Sequence, residues 1–170
     1  MTKYFIVLIV WLGLIASYAS AESFTVFQHK HWEVTYETGD NNDLSYCTAG
    51  VNNTEDGISV RLLADTQKLV FFAYMPKWDF EDAEGSIRVW IDSRSPWKLE
   101  ATGDGKAIFS TLPSNAATVD FLTEIIQGSR LYVSTSTSPK STWDIWVSLN
   151  GSTKAVNALM DCKEKLGKSL

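Results

Sequence analysis

His29 and His31 are the two histidines of the chain, and their spacing could hold a metal ion. Side chains two residues apart on a strand point to the same side of a sheet, so both imidazoles could bind one cation. The sequence has no recognisable pattern of Cys, Asp or Glu ligands that completes such a site. We therefore interpret both residues as surface histidines and predict neither a metal site nor a cofactor.

An acidic segment offers a second set of reactive groups. Paired carboxylates can bind calcium, or act as the acid and the nucleophile of a glycoside hydrolase. The Asp-x-Asp-x-Asp-Gly pattern of a calcium loop is absent, which favours a solvated acidic loop. A carbohydrate-active enzyme that uses residues 79–84 is the alternative. The carboxylates, flanked by Trp78 and Phe80, are Asp79, Glu81, Asp82 and Glu84.

Motifs for nucleophilic catalysis are missing from the sequence. It has no Gly-x-Ser-x-Gly elbow of the kind that presents the serine of α/β-hydrolases. A nucleophilic Cys47 or Cys162 would have to be a reduced thiol, which an exported protein disfavours. We predict that the protein is not an enzyme.

The first twenty-one residues have the pattern of a secretory signal peptide. Lys3 is their only charge, residues 4–15 form an apolar run, and Ala19 and Ala21 supply small side chains for the signal peptidase. The run is shorter than the ~20 residues that span a bilayer. We predict cleavage after Ala21, no membrane anchor, and a single β-rich domain over residues 22–170 in the periplasm or outside the cell.

The charge balance narrows the range of partners. The chain has 15 basic and 20 acidic residues, a net charge of −5, and no basic run. This argues against nucleic acid and against anionic membrane surfaces as partners.

The chain contains two cysteines, and both lie in the predicted mature protein. An even pair in an exported protein usually forms a disulfide. We predict a bridge between Cys47 and Cys162 that joins an early strand to a C-terminal helix. Two buried free thiols are the alternative.

Two-residue alternation of apolar and polar side chains dominates the predicted mature chain and indicates antiparallel strands. Residues 75–84 are predicted to form a looser segment. Helical spacing predicts one helix that starts at a Ser114 or Asn115 cap and ends at Gly128, and another after the turn at 150–152. The fold class is α+β: mainly an antiparallel sheet, as a meander or sandwich, with one internal helix and a C-terminal helix packed on it. Strands are predicted near 24–28, 32–36, 44–51, 58–64, 68–74, 86–92, 97–101, 106–110, 130–136 and 143–149.

Tryptophan is frequent, with 7 in the chain. Large amphipathic rings are common at protein interfaces, and some of these rings are expected on the outer face of strands. Core packing is the alternative for each of them. The candidate partner-binding residues are Trp78, Phe80, Trp90, Trp97 and Trp146.

The end of the sequence, residues 147–159, is a strand, a turn and a helix of the form Ser-Leu-x-Gly-x-x-x-Ala. Together with the early His31-Trp32-Glu33-Val34 strand and the Tyr46-Cys47 pair, this plan resembles the invasion-associated locus B type proteins that Gram-negative bacteria secrete. That family typically has further cysteines and a segment rich in glycine and proline, whereas this chain has one cysteine pair. The resemblance implies an exported β-rich accessory protein with no catalytic residues.

These features predict an exported, non-enzymatic protein that binds another protein or an envelope component through a sheet face that bears tryptophan. An inhibitor of a periplasmic or foreign hydrolase, such as lysozyme, is the first alternative, because an acidic loop suits a cationic enzyme. The carbohydrate-active enzyme is the second.

Overall fold

The computed structural model describes residues 22–38, 45–53, 57–65, 68–135 and 145–166. The predicted signal peptide, residues 1–21, and Trp143, at the start of the last predicted strand, lie outside these residues.

Within the described residues the chain forms ten strands and two helices. All the strands join one sheet in the order β1-β2-β3-β4-β5-β8-β7-β6-β9-β10, and every neighbouring pair is antiparallel. The predicted α+β class is therefore confirmed. The elements are β1 (Ser23–His29), β2 (Trp32–Glu37), β3 (Tyr46–Asn53), β4 (Ile58–Ala64), β5 (Leu69–Tyr74), β6 (Phe80–Ile91), β7 (Trp97–Gly105), β8 (Ala107–Thr111), α1 (Asn115–Gln127), β9 (Arg130–Thr135), β10 (Ile145–Ser148) and α2 (Ser152–Leu166).

One face of the sheet is buried and the other faces outward. In β5, Leu69, Phe71 and Ala73 are buried, and the residues between them are half-buried. Because side chains alternate across a strand, this pattern assigns each residue to a face. The sheet curls so that β10 approaches β3 and β4, while α2 covers β1, β2 and β3 and packs on α1. The core lies inside this curl.

Two polar contacts fix the ends of the helices. Ser114 caps α1 by accepting a hydrogen bond from the backbone N–H of Ala117 at 3.1 Å, as an N-cap serine does. Ser152, buried at the start of α2, donates its hydroxyl to the carbonyl oxygen of Ile125 in α1 at 2.9 Å. The second contact joins the two helices across the buried face of the sheet.

The predicted looser segment at 75–84 is partly wrong, because β6 already begins at Phe80. The register shifts between Phe80 and Ala83, which marks a β-bulge. A bulge places two residues opposite one, so the apolar positions lose their simple alternation in sequence. Phe80 packs on Gly103, where an added Cβ would lie 2.6 Å from the phenyl Cγ. The turn between the strands predicted near 97–101 and 106–110 is also tighter than expected, since β7 extends to Gly105 and β8 begins at Ala107.

The predicted disulfide is present. Cys47 on β3 and Cys162 on α2 are bonded, with their Cα atoms 6.1 Å apart, and both residues are buried. The bond ties the C-terminal helix to the centre of the sheet half that it covers.

Removal of the disulfide by the paired changes Cys47→Ala and Cys162→Ala is expected to destabilise the protein by about 4–5 kcal/mol, because a cross-link that closes so long a loop restricts the unfolded chain. The two cysteines are 115 residues apart. Urea denaturation of the variant and the oxidised protein measures the difference. Met160→Ala, on an exposed position of the same helix, is the control. Equal unfolding free energies for the double variant and the oxidised protein would contradict this account.

Candidate functional site

Three aromatic side chains form a row across adjacent strands on the outer face of the sheet. Trp90 on β6 lies opposite Tyr132 on β9, and Tyr132 lies opposite Trp146 on β10. The rings of Trp90 and Tyr132 stack with centroids 5.3 Å apart and planes 8° apart. Trp146 is 42% exposed. We call Trp90, Tyr132 and Trp146 the aromatic row.

The strands place these rings outward because the residues beside them are committed to the core. Each ring lies between two buried neighbours, so the two-residue period leaves it only the outer face. Cross-strand aromatic pairs of this kind also stabilise a sheet. The buried neighbours are Val89, Ile91, Leu131, Val133, Ile145 and Val147.

Cationic side chains border the aromatic row. The guanidinium carbon of Arg130 lies 4.9 Å from the ring centroid of Trp146, within the range of a cation–π contact. Arg88 and Lys98 face each other on β6 and β7, and an Arg88 Nη2 donates to the Ser134 hydroxyl at 3.5 Å. All three cations are exposed. The border therefore carries an excess of positive charge, three cations against the exposed carboxylates of Asp92 and Glu100, on a protein whose net charge is negative.

Asp92 fixes the strand that carries Tyr132 and Arg130. Its carboxylate accepts hydrogen bonds from the backbone N–H groups of Ser129 and Arg130 at 3.0 and 2.9 Å. Its own N–H donates to the Arg130 carbonyl at 3.0 Å. Asp92 has a φ of 51°, a left-handed conformation that Asp and Asn adopt more readily than other non-glycine residues. This turn sets where β9 begins beside β6.

Trp78 and Phe80, predicted to bind a partner, lie in the core instead. They are 3% and 6% exposed, and their ring centroids are 5.5 Å apart. The flanking acids suggested an exposed loop, but the Trp78 N–H closes a turn onto the Met75 carbonyl and Phe80 packs on Gly103. Neither ring is available on this surface.

Trp97, a third predicted partner-binding residue, is held by α1. Its indole N–H donates to Glu124 Oε2 at 3.2 Å, and its ring meets that of Phe121 edge to face at 5.7 Å. The half-buried ring joins α1 to β7 and does not extend the aromatic row.

The remaining candidate residues are dispersed. Asp79, Glu81 and Glu84 are exposed, and within the described ranges no three His, Cys, Asp or Glu side chains are grouped to hold a metal ion. His29 ends β1, and Lys30, with a φ of 56°, forms the turn into β2. Partial desolvation and the nearby ammonium groups of Lys154 and Lys30 lower the pKa of His29. Glu81 and Glu84 lie on β6 with Trp90 but at the opposite end of that strand, and the histidines lie at the other edge of the strand order.

Trp90 and Trp146 are predicted from the sequence as partner-binding residues, whereas Tyr132 and Arg130 are not. The signal for Tyr132 is present in the sequence, since it stands between two apolar residues of a strand, as Trp90 does. The contact of Arg130 with Trp146 depends on the pairing of β9 with β10, which no local pattern specifies.

None of the described helices is long and apolar enough to cross a membrane.

The fold is similar to that of the invasion associated protein B from Bartonella henselae, known from its crystal structure. The two structures agree with a TM-score of 0.57 at 13% sequence identity, and the match covers 85% of this chain and 99% of the other. The sequence matches no protein-family model and no curated protein. The likeness establishes a shared fold, and the predicted resemblance to the invasion-associated locus B type is confirmed.

Asp92→Ala is expected to lower the free energy of unfolding by about 1–3 kcal/mol, because it leaves the N–H groups of Ser129 and Arg130 without their acceptor. Asp92→Asn keeps one acceptor oxygen and tolerates the left-handed backbone, so it should cost less. Thermal or urea unfolding of the two variants measures this order. If Asp92→Ala is as stable as the wild type, the carboxylate does not fix this turn.

Proposed function

We propose that the protein is an exported binding protein of the bacterial envelope, with the aromatic row as its contact surface. The observation that carries the proposal is the row itself: three outward rings on adjacent strands, bordered by cations. Trp, Tyr and Arg are the residues most enriched where binding energy is concentrated at protein interfaces. The rigid sheet holds them in place, so binding requires little further ordering of these side chains.

The charge of the border indicates the kind of partner. Arg88, Lys98 and Arg130 favour a partner that is acidic where it meets the row. A cationic enzyme such as lysozyme is disfavoured at this surface for the same reason. The partner is thus an acidic protein or an acidic component of the envelope.

Export is supported by two independent features. The N-terminal residues have the signal-peptide pattern, and the protein contains the disulfide between Cys47 and Cys162, a bond that is rare in the reducing cytosol and common in exported proteins. The similar fold of an invasion-associated bacterial protein agrees with this location.

Trp146→Ala is expected to weaken binding to isolated cell-envelope fractions at least tenfold, the change that corresponds to loss of about 1.4 kcal/mol. The exposed ring is not part of the core, so the fold should be retained, as circular dichroism can verify. Quantitative co-sedimentation measures the affinity. Phe24→Ala removes another exposed ring, 49% exposed on β1, and serves as the matched control. Equal losses in the two variants would argue against a specific role for the row.

The mass of the protein recovered from a bacterial host tests export. We expect the mass of residues 22–170 less two hydrogens, with alkylation of the thiols only after reduction. An intact N-terminus, or thiols that react without reductant, would contradict an exported, oxidised protein.

A further inference from the structure

A second surface feature lies apart from the aromatic row, on the outer face of the other half of the sheet. It is a cleft of ≈ 440 Å³ that lies over β3, β4 and β5, with walls from β2 and β8. The residues on which its chemistry depends are Glu37, Tyr46, Arg61, Phe72 and Phe109.

Arg61 supplies a positive charge to this cleft. It lies opposite Gly50 on one side and Phe72 on the other. Its side chain runs over Gly50, where an added Cβ would lie 3.3 Å from the Arg61 Cγ and 3.7 Å from Nε. A weak hydrogen bond joins Nε to the Ser59 hydroxyl at 3.5 Å, and none of the described carboxylates pairs with the guanidinium. The fork of donors is therefore available to an anionic group.

Two aromatic rings lie next to Arg61, on the following strands of the sheet. Phe72 lies opposite Phe109, and their ring centroids are 5.1 Å apart. Phe109 is 37% exposed. The two rings form an apolar wall directly beside the cation.

Thr48 lies in the floor of the cleft. The residue is 3% exposed, and its Oγ1 is itself buried without a hydrogen-bond partner. This hydroxyl therefore lies beneath the surface that a ligand in the cleft would contact.

Glu37 and Tyr46 complete the polar side of the cleft. The Tyr46 hydroxyl donates to Glu37 Oε2 at 2.8 Å, and the Thr35 hydroxyl donates to Oε1 at 3.1 Å. Burial raises the pKa of Tyr46, and the Glu37 contact raises it further, so the tyrosine remains a donor at neutral pH. The carboxylate is held in place with lone pairs left to accept bonds from a ligand.

We propose that this cleft binds an acidic pyranose, a sugar ring that carries a carboxylate. The guanidinium of Arg61 pairs with the carboxylate, the Phe72 and Phe109 rings pack on the apolar face of the sugar, and the Glu37 carboxylate accepts hydrogen bonds from its hydroxyls. This site is separate from the aromatic row and stands whether or not that row binds an envelope partner.

Titration of the ¹⁵N-labelled protein with methyl β-D-glucuronide tests the proposal, with methyl β-D-glucoside as the matched ligand that lacks the carboxylate. We expect shifts of the backbone amides of Thr48, Gly50, Arg61 and Phe72, and binding of the glucuronide at least tenfold tighter than that of the glucoside. Arg61→Gln should remove this preference. Lys154→Gln, a charge change at an exposed position of α2, should leave it intact.

Phe109→Ala separates binding from folding. It removes a ring that is 37% exposed from the wall of the cleft, so the fold should be retained while glucuronide affinity falls. The proposal is overturned if the glucuronide shifts none of these amides, if both sugars bind equally, or if Arg61→Gln binds as the wild type does. Equal shifts with sodium acetate would also overturn it, because the cleft would then recognise only an anion.

Discussion

Alternation of side chains across a curled antiparallel sheet is the constraint on which the structure depends. One face is fully committed to the core, as the burial of Phe71, Val89 and Val133 shows. A shift of one residue in any strand would exchange its two faces, so the cost of exposing the core fixes the register. The register also determines which side chains lie on the outer face. Both candidate binding surfaces consist of such outer-face side chains.

The disulfide and the helices close the curl on its inner side. Cys162 ties α2 to β3, and Ser152 bonds α2 to α1. Together these contacts hold α2 over the inner face of β1, β2 and β3. The aromatic and charged residues of the outer face are attached to this rigid sheet. Large rings can therefore remain on the surface of a small protein while the opposite face of each strand forms the core.

Much of the fold could be predicted from the sequence because period-two alternation is a local signal. It located most strands, and the cysteine pair correctly indicated the bridge between Cys47 and Cys162. The start of β6 was missed because a bulge interrupts the alternation at Phe80. The burial of Trp78 and the position of the Arg130 cation over Trp146 depend on which strands become neighbours. No single segment of the sequence specifies that β8, β7 and β6 follow β5 in the sheet.

Nuclear Overhauser contacts across β6, β9 and β10 test most directly whether the outer face is arranged as described. We expect contacts between the rings of Trp90 and Tyr132, and backbone contacts that place Tyr132 opposite Trp146. Contacts that instead pair Trp90 and Trp146 with Leu131 or Val133 would mean a one-residue slip. The aromatic row would then not exist, and the proposed contact surface would be lost with it.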